Sequence, residues 1–378
     1  MSWLIASFIY IVPFLVVLTV LVFVHEFGHY WSARRNGVKI QVFSIGFGPE
    51  LFGYTDRAGT RWKVSVIPLG GYVKMFGDAD AMSTPGENLV RMSPAEQAVS
   101  FHHKRLSQRA EIVAAGPIAN FLFSIIVFAG IFMTVGERFT PTDIDDITPG
   151  SAAEQAGLQP HDVIVGVDGH TVDSFEDLRE LVAANTGTPM QIEIRRAGQD
   201  LTLTVTPTIK PEVDIFGTTH QIGMIGVVHT GPTAYVKRNP VSAVGRAVAE
   251  TWNLSTGTLG AVWQMVIGIR TTDELGGPLS IAHMSGKVAE NGPVPFILFM
   301  AFLSINLGLI NLFPIPILDG GHLLFYAAEA IRGKPLGPRA QEYGFRVGLA
   351  LVMTLMVFAT WNDLVHVGVI KFLKGLVT

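Results

Sequence analysis

The chain has 378 residues, 49% of them hydrophobic and only 15% charged, with a mean hydropathy of +0.40. That charge content lies well under the roughly 25% of an average soluble domain, so lipid is part of the solvent. The net charge of −4 gives no signal for nucleic acid. The lack of cysteine excludes a disulfide framework and a thiolate metal site, so any metal must be held by His, Asp or Glu.

Trp3 to Val24 is an uncharged run long enough to cross a hydrocarbon core of roughly 30 Å. No Lys or Arg precedes it and no small-residue cleavage site ends it, so it reads as a retained span rather than a cleaved signal. With the residues that follow, it makes a first span over 1–35. At its inner end stands His25-Glu26-Phe27-Gly28-His29. Residues four apart share one helix face, so both imidazoles reach a single ion. Glu26 lies beside them, placed as a general base toward water. Ionisable side chains at membrane depth are costly and mark a functional site.

The loop 36–108 follows. Within it, Trp62 to Ile67 and Gly71 to Met75 read as two short strands about a Pro68-Leu-Gly-Gly71 turn, a membrane-associated hairpin over 61–75. A strand edge can capture an extended peptide, which makes Val64 and Val66 candidate substrate contacts. A second span covers 109–136 and carries Asn120 in an apolar run.

The middle of the chain is acidic and reads as a soluble α+β domain over 137–210, with a further strand reaching to 229. Asp162 to Asp168 alternates as a strand. Ser174 to Ala184 has a capping-box pattern, Ser174 with Asp177 three residues on. Met190 to Arg195 and Leu201 to Val205 alternate at period two about an Ala197-Gly198 turn. The stretch 230–292 is too polar to span and reads as amphipathic helix at the membrane interface, in contact with lipid.

A third span, 293–322, ends in Asn311-Leu-Phe-Pro314-Ile-Pro316-Ile-Leu-Asp319-Gly-Gly-His322, and a fourth covers 343–367. Pro314 and Pro316 break the helix, and irregular backbone at this depth requires a protein- or water-lined cavity. Spans one and three run the same way, so Asp319 reaches the depth of His25 and His29 and is the best third ligand; His322 is its rival. Two His and one carboxylate suit zinc, and the same trio also serves iron. Lys and Arg are concentrated in 33–109 and after Ile317, which places those loops in the cytoplasm and the acidic domain outside.

HEFGH and NLFPIPILDGGH occur together with Gly46-Phe-Gly-Pro49, Ile67-Pro-Leu-Gly-Gly-Tyr-Val-Lys-Met75, Gly116-Pro-Ile-Ala-Asn120 and Gly277-Pro-Leu-Ser280. On these motifs the chain resembles the site-2 protease family of intramembrane zinc metalloproteases, in its RseP-like branch with a single PDZ domain. The resemblance implies an α-helical polytopic membrane protein with about four transmembrane helices and an inserted PDZ-like domain. It implies zinc held by His25, His29 and Asp319, with Glu26 as catalytic base. It further implies cleavage of single-span membrane proteins such as anti-sigma factors in a bacterial inner membrane, with the PDZ-like domain on the periplasmic face and the active site toward the cytoplasm. Asn311, Asn120, Pro314 and Pro316 are then candidates for substrate contact. Ile222 to Val227, with Gly223 and Ile225, is the candidate peptide-binding strand of a circularly permuted PDZ domain, which binds a peptide or a C-terminus. The competing reading is a catalytically inactive PDZ-bearing membrane scaffold; the intact chemical positions argue against it. A transporter would show inverted repeats, and none is visible.

Overall fold

The computed structural model describes residues 2–78, 91–172, 174–185, 187–213, 219–230, 234–268 and 276–366. Asp80, Glu87, Lys371 and Lys374, whose charges enter the topology argument, lie outside these residues. In chain order the elements are α1 (Ser2–Arg35), β1 (Ile40–Thr55), β2 (Arg61–Met75), α2 (Pro94–Val99), α3 (Leu106–Thr134), β3 (Glu137–Phe139), β4 (Asp146–Ile147), α4 (Ala152–Gln155), β5 (Val163–Val167) and β6 (His170–Thr171). Then come α5 (Phe175–Ala184), β7 (Met190–Arg196), β8 (Gln199–Val205), β9 (Thr208–Val213), β10 (Thr219–Met224), β11 (Val227–Val228), β12 (Ala234–Val236), α6 (Pro240–Val266), α7 (Pro278–Glu290), α8 (Pro293–Leu312), α9 (Asp319–Arg332) and α10 (Pro338–His366). Two compact units result, one of 1–129 with 244–378 and one of 130–243.

In the first unit, four helices are long and apolar enough to cross a membrane: Tyr10–Arg35, Leu106–Thr134, Pro293–Leu312 and Arg339–Val365. The polytopic helical architecture read from the sequence is therefore the one observed. The third helix stops at Leu312, before the prolines, and Asp319 opens the separate helix α9. Helix α1 packs Val17 and Leu21 against Met300 of α8, while Tyr30 and Ala33 join a core with Ile40, Phe43, Val73, Met75 and Ile112. Helix α7 packs on α1 rather than lying free: His283 stacks on Tyr10 with ring centroids 5.0 Å apart, and a Cβ on Gly286 would stand 2.1 Å from the Tyr10 ring. Only α6 keeps the surface-helix character expected for 230–292, with Val241, Val244, Val248, Trp252, Trp263 and Val266 exposed along one stripe.

The 61–75 hairpin is corrected. Arg61–Met75 is one strand, and its two halves do not pair with each other. Ile40–Ile45 runs between them, with Ser44 opposite both Tyr72 and Lys63 and Ile45 opposite both Gly71 and Val64. Glu50–Thr55 then covers the far side of Arg61–Ser65. Pro68–Gly71 carries a local turn signal, but the pairing that forms is with the distant Ile40–Ile45 rather than across that turn. Val64 is consequently an interior position, paired with Ile45 and Phe52, and among the described residues no second strand pairs along the outer side of Gly71–Val73.

The second unit is the expected α+β domain. Its sheet has the order β6-β5-β7-β8 and its core gathers Ile164, Leu178, Val182, Ile192, Ile194 and Val205. The capping box at Ser174 and Asp177 forms, and Ala197 and Gly198 both take positive φ in the tight β7–β8 turn. His161, which stands where glycine is usual in the resembled pattern, carries φ 70. Asp162 is buried and held by both Arg196 nitrogens, Nε and Nη2, at 2.7 Å each. The expected peptide-binding strand is divided. Gly223 lies in β10, and a Cβ there would stand 2.3 Å from the carbonyl oxygens of Val182 and Asn185 at the end of α5. Ile225 is 3% exposed in the core. Both residues are packed against neighbouring backbone or core.

Candidate metal centre

Two helices and one loop junction build the centre, all in the first unit. His25 and His29 stand one turn apart on α1, and Asp319 is the first residue of α9. Their side chains are 11%, 11% and 17% exposed. Nε2 of His25 lies 3.2 Å from Nε2 of His29 and 3.1 Å from Oδ2 of Asp319; the third separation is 3.5 Å. Asp319 is therefore brought to the imidazoles as its depth implied.

The outer nitrogens define what the inner ones can do. His29 Nδ1 donates to the Ile112 carbonyl at 2.9 Å, which leaves Nε2 with a lone pair. His25 Nδ1 faces the Asn120 amide at 3.1 Å, and the buried Asn120 Oδ1 has no partner. Amide oxygen and nitrogen are assigned from such networks. Turning the amide lets Oδ1 accept from His25 Nδ1–H, which satisfies the buried oxygen and frees Nε2. Three acceptors, two imidazole nitrogens and a carboxylate oxygen that has no hydrogen-bond partner, then converge with no proton between them. Only a cation stabilises that arrangement. Tetrahedral bonds of about 2.0–2.1 Å give donor-to-donor edges of about 3.3 Å, which the observed triangle matches. The residues fit a divalent metal such as zinc.

The helices approach closely to make this possible. A Cβ on Gly116 would stand 2.3 Å from His29 Nε2 and 2.9 Å from His25 Cε1. A Cβ on Gly28 would stand 2.2 Å from the Ala115 carbonyl oxygen. Asn120 is fixed in turn by Ser124 and Ser304, whose hydroxyls both donate to its carbonyl at 3.0 Å. Asn120 thus orients a ligand, a role distinct from the substrate contact proposed for it. Gly116 was visible as part of a motif, but its role needed the α1–α3 approach.

A cavity of about 1150 Å³ opens beside the ligands. It is lined by Glu26, Asn311 and His322, by the strand edge Gly71, Tyr72, Val73 and Met75, and by Phe345 and Leu349 of α10. A Cβ on Gly71 would come within 3.1 Å of Glu26 Cγ, so β2 passes close beside the Glu26 side chain at Gly71. Burial holds the His322 imidazole below its ordinary pKa, so it is neutral at pH 7. Val64, Val66, Pro314 and Pro316 do not line the cavity. Val66 is half exposed, and Pro316 packs under Gly348 of α10, whose Cβ would stand 2.6 Å from the Pro316 carbonyl oxygen.

Comparison with known proteins agrees with this chemistry. The model of peptidase family M50 matches residues 13–355. A protein of Agrobacterium fabrum, provisionally named a zinc metalloprotease, is 47% identical over 94% of this chain and 95% of its own length. Metalloprotease MmpA of Caulobacter vibrioides is 38% identical over 98% of this chain and 99% of its own. Among solved structures, the HtrA3 PDZ domain bound to a phage-derived ligand matches 18% of this chain and 61% of that one, at 29% identity and a TM-score of 0.17.

Proposed function

The chain belongs to peptidase family M50, and from that premise we propose that it is an intramembrane zinc metalloprotease that cuts single-span membrane proteins within or near their transmembrane segment. The observation that carries this reading is the convergence of His25, His29 and Asp319 beside Glu26, on a helix of membrane-spanning length. Zinc held by His25, His29 and Asp319 would supply a Lewis acid for the scissile carbonyl and would lower the pKa of a water toward about 7. Glu26 takes the proton from the attacking water and returns it to the departing amine. His25 and His29 are held in the right tautomer by Asn120 and the Ile112 carbonyl.

A helical substrate hides its carbonyls in its own hydrogen bonds and has to unwind to be cut. The outer side of Gly71–Val73 supplies a partner for the unwound segment by strand addition. Phe76 N–H donates to Lys39 and Met75 N–H to Asp78 Oδ2. Alternation along the strand then turns Val73 N–H outward, toward the cavity. Val73→Pro removes that donor while sparing the β1 ladder, as edge positions tolerate. Cleavage is expected to fall about tenfold, the worth of one hydrogen bond, with zinc content unchanged. Cleavage at the wild-type rate would count against edge capture.

The charge pattern of the loops supports a multi-pass protein of a bacterial inner membrane, with the PDZ-like domain on the periplasmic face and the active site near the cytoplasm. The exposed stripe of α6 suits contact with lipid. The PDZ-like domain docks or gates a peptide or C-terminus on the outer side. The resemblance supports regulated intramembrane proteolysis of an anti-sigma factor or a similar regulator, with a stress response as its outcome. The direct test is a tagged single-span protein incubated in detergent with the purified chain. Cutting within the span, halted by 1,10-phenanthroline and restored by zinc, is the expected result. A zinc-loaded chain that leaves every such substrate whole would sink the proposal.

A further inference from the structure

We propose that His322 is a catalytic residue that donates a hydrogen bond to the scissile carbonyl oxygen as charge develops on it. The inference rests on the protease reading and assigns one more group to that same site. Acyl transfer needs a donor aimed at the developing oxyanion, and neutral donors in a water-poor cavity serve best because they cost no reorganisation.

The other side-chain donors in or beside the cavity are each engaged at least in part, Tyr326 with the Arg109 guanidinium. Asn311 Nδ2 donates to the Leu307 carbonyl at 3.0 Å, and Gln341 Nε2 to the Leu336 carbonyl at 3.1 Å. Arg346 is held by Glu342 at 2.6 Å. Arg109 lies over the Tyr326 ring at 4.9 Å while bonding Glu329. His25 and His29 are occupied by the metal site. His322 also lines this cavity, and among the described residues its side chain takes no hydrogen bond.

Its position is set from three directions. It stands three residues after Asp319 on α9, hence on the same helix face as that ligand. The start of α9 is fixed by close backbone approach: a Cβ on Gly320 would stand 2.3 Å from the Leu312 and Phe313 carbonyl oxygens, and one on Gly321 2.3 Å from that of Ile315. The imidazole packs against Phe345 with centroids 5.4 Å apart. Beyond the wall that His322 shares with Glu26 runs the strand edge on which the substrate is laid. A carbonyl held by that edge and attacked by water from the Glu26 side lies in the same cavity as the His322 imidazole, whose ring N–H is not engaged by another described residue.

The test compares wild type, Glu26→Gln, His322→Ala and His322→Gln on one tagged single-span substrate. It measures kcat, KM, zinc per chain and capture of uncut substrate in a Glu26→Gln background. For His322→Ala, kcat is expected to fall about 100-fold or more, the effect of losing an oxyanion donor. KM, zinc content and capture of uncut substrate stay at wild-type values, because the bond forms only in the transition state. His322→Gln, which restores an N–H, recovers about tenfold of the loss. A His322→Ala kcat within about threefold of wild type overturns the inference while leaving the protease reading intact. So does loss of zinc from both His322 variants, which would make the residue a support for Asp319. Failure of the zinc-loaded wild type to cut any single-span substrate overturns the protease reading itself, and this inference with it.

Discussion

Glu26→Gln is expected to lower the cleavage rate by about 10³–10⁴-fold while the purified protein keeps its zinc. The substitution changes little else. Gln has the shape of Glu, and shape matters here because Gly71 on the strand edge leaves only 3.1 Å between its virtual Cβ and Glu26 Cγ. A larger residue would push the edge away and confuse loss of the base with loss of substrate capture. The ligands are untouched, since the His25 and His29 tautomers are set by Asn120 and Ile112 and not by residue 26. Two numbers decide the matter: the rate on a single-span substrate and the metal content by elemental analysis. A low rate with full zinc assigns Glu26 to proton transfer. A low rate with zinc missing would move it into the metal site. An unchanged rate would mean that another group takes the proton.

The contrast between Glu26 and the strand edge explains what the sequence could tell. His25, Glu26 and His29 are legible because one helix period fixes their geometry. Asp319 is nearly as legible, because a proline-broken span of known direction fixes its depth. The α+β domain shows its period-two strands and its capping box in the same local way, and these form where expected. What failed to show depended on contacts between distant segments. Val64 was placed on an edge because nothing in Arg61–Met75 announces that Ile40–Ile45 will lie between its two halves. Asn120 read as a substrate contact because its partner, His25, is 95 residues away in the chain. Pro314 and Pro316 signalled the break correctly, yet their contribution is to set the bend and seat α10 rather than to face the cavity.

Gly116→Ala is expected to weaken zinc binding by about 100-fold or more, at the upper end of what changes around metal ligands cost, and to remove activity with it. The added Cβ would lie 2.3 Å from His29 Nε2, 2.5 Å from His29 Cε1 and 2.9 Å from His25 Cε1, separations that packed carbon atoms do not sustain. Either an imidazole swings away or the helices part. Parting is opposed at the preceding contact, where Gly28 already brings α1 onto Ala115 and Ala119 of α3. It is opposed again at Asn120, whose amide meets His25 of α1 and whose carbonyl accepts from Ser304 of α8. The imidazole therefore moves, and the triangle of donors opens. Gly130→Ala supplies the control: it lies on the same helix with nothing within 4 Å of its virtual Cβ, so it should be neutral or stabilising by up to about 1 kcal/mol. Zinc retention against a competing chelator separates the two. If Gly116→Ala holds zinc as tightly as Gly130→Ala, the close approach of α1 and α3 is not what shapes the metal centre. A selective loss at position 116 would show that a missing side chain, as much as the four reactive ones, determines where the metal sits.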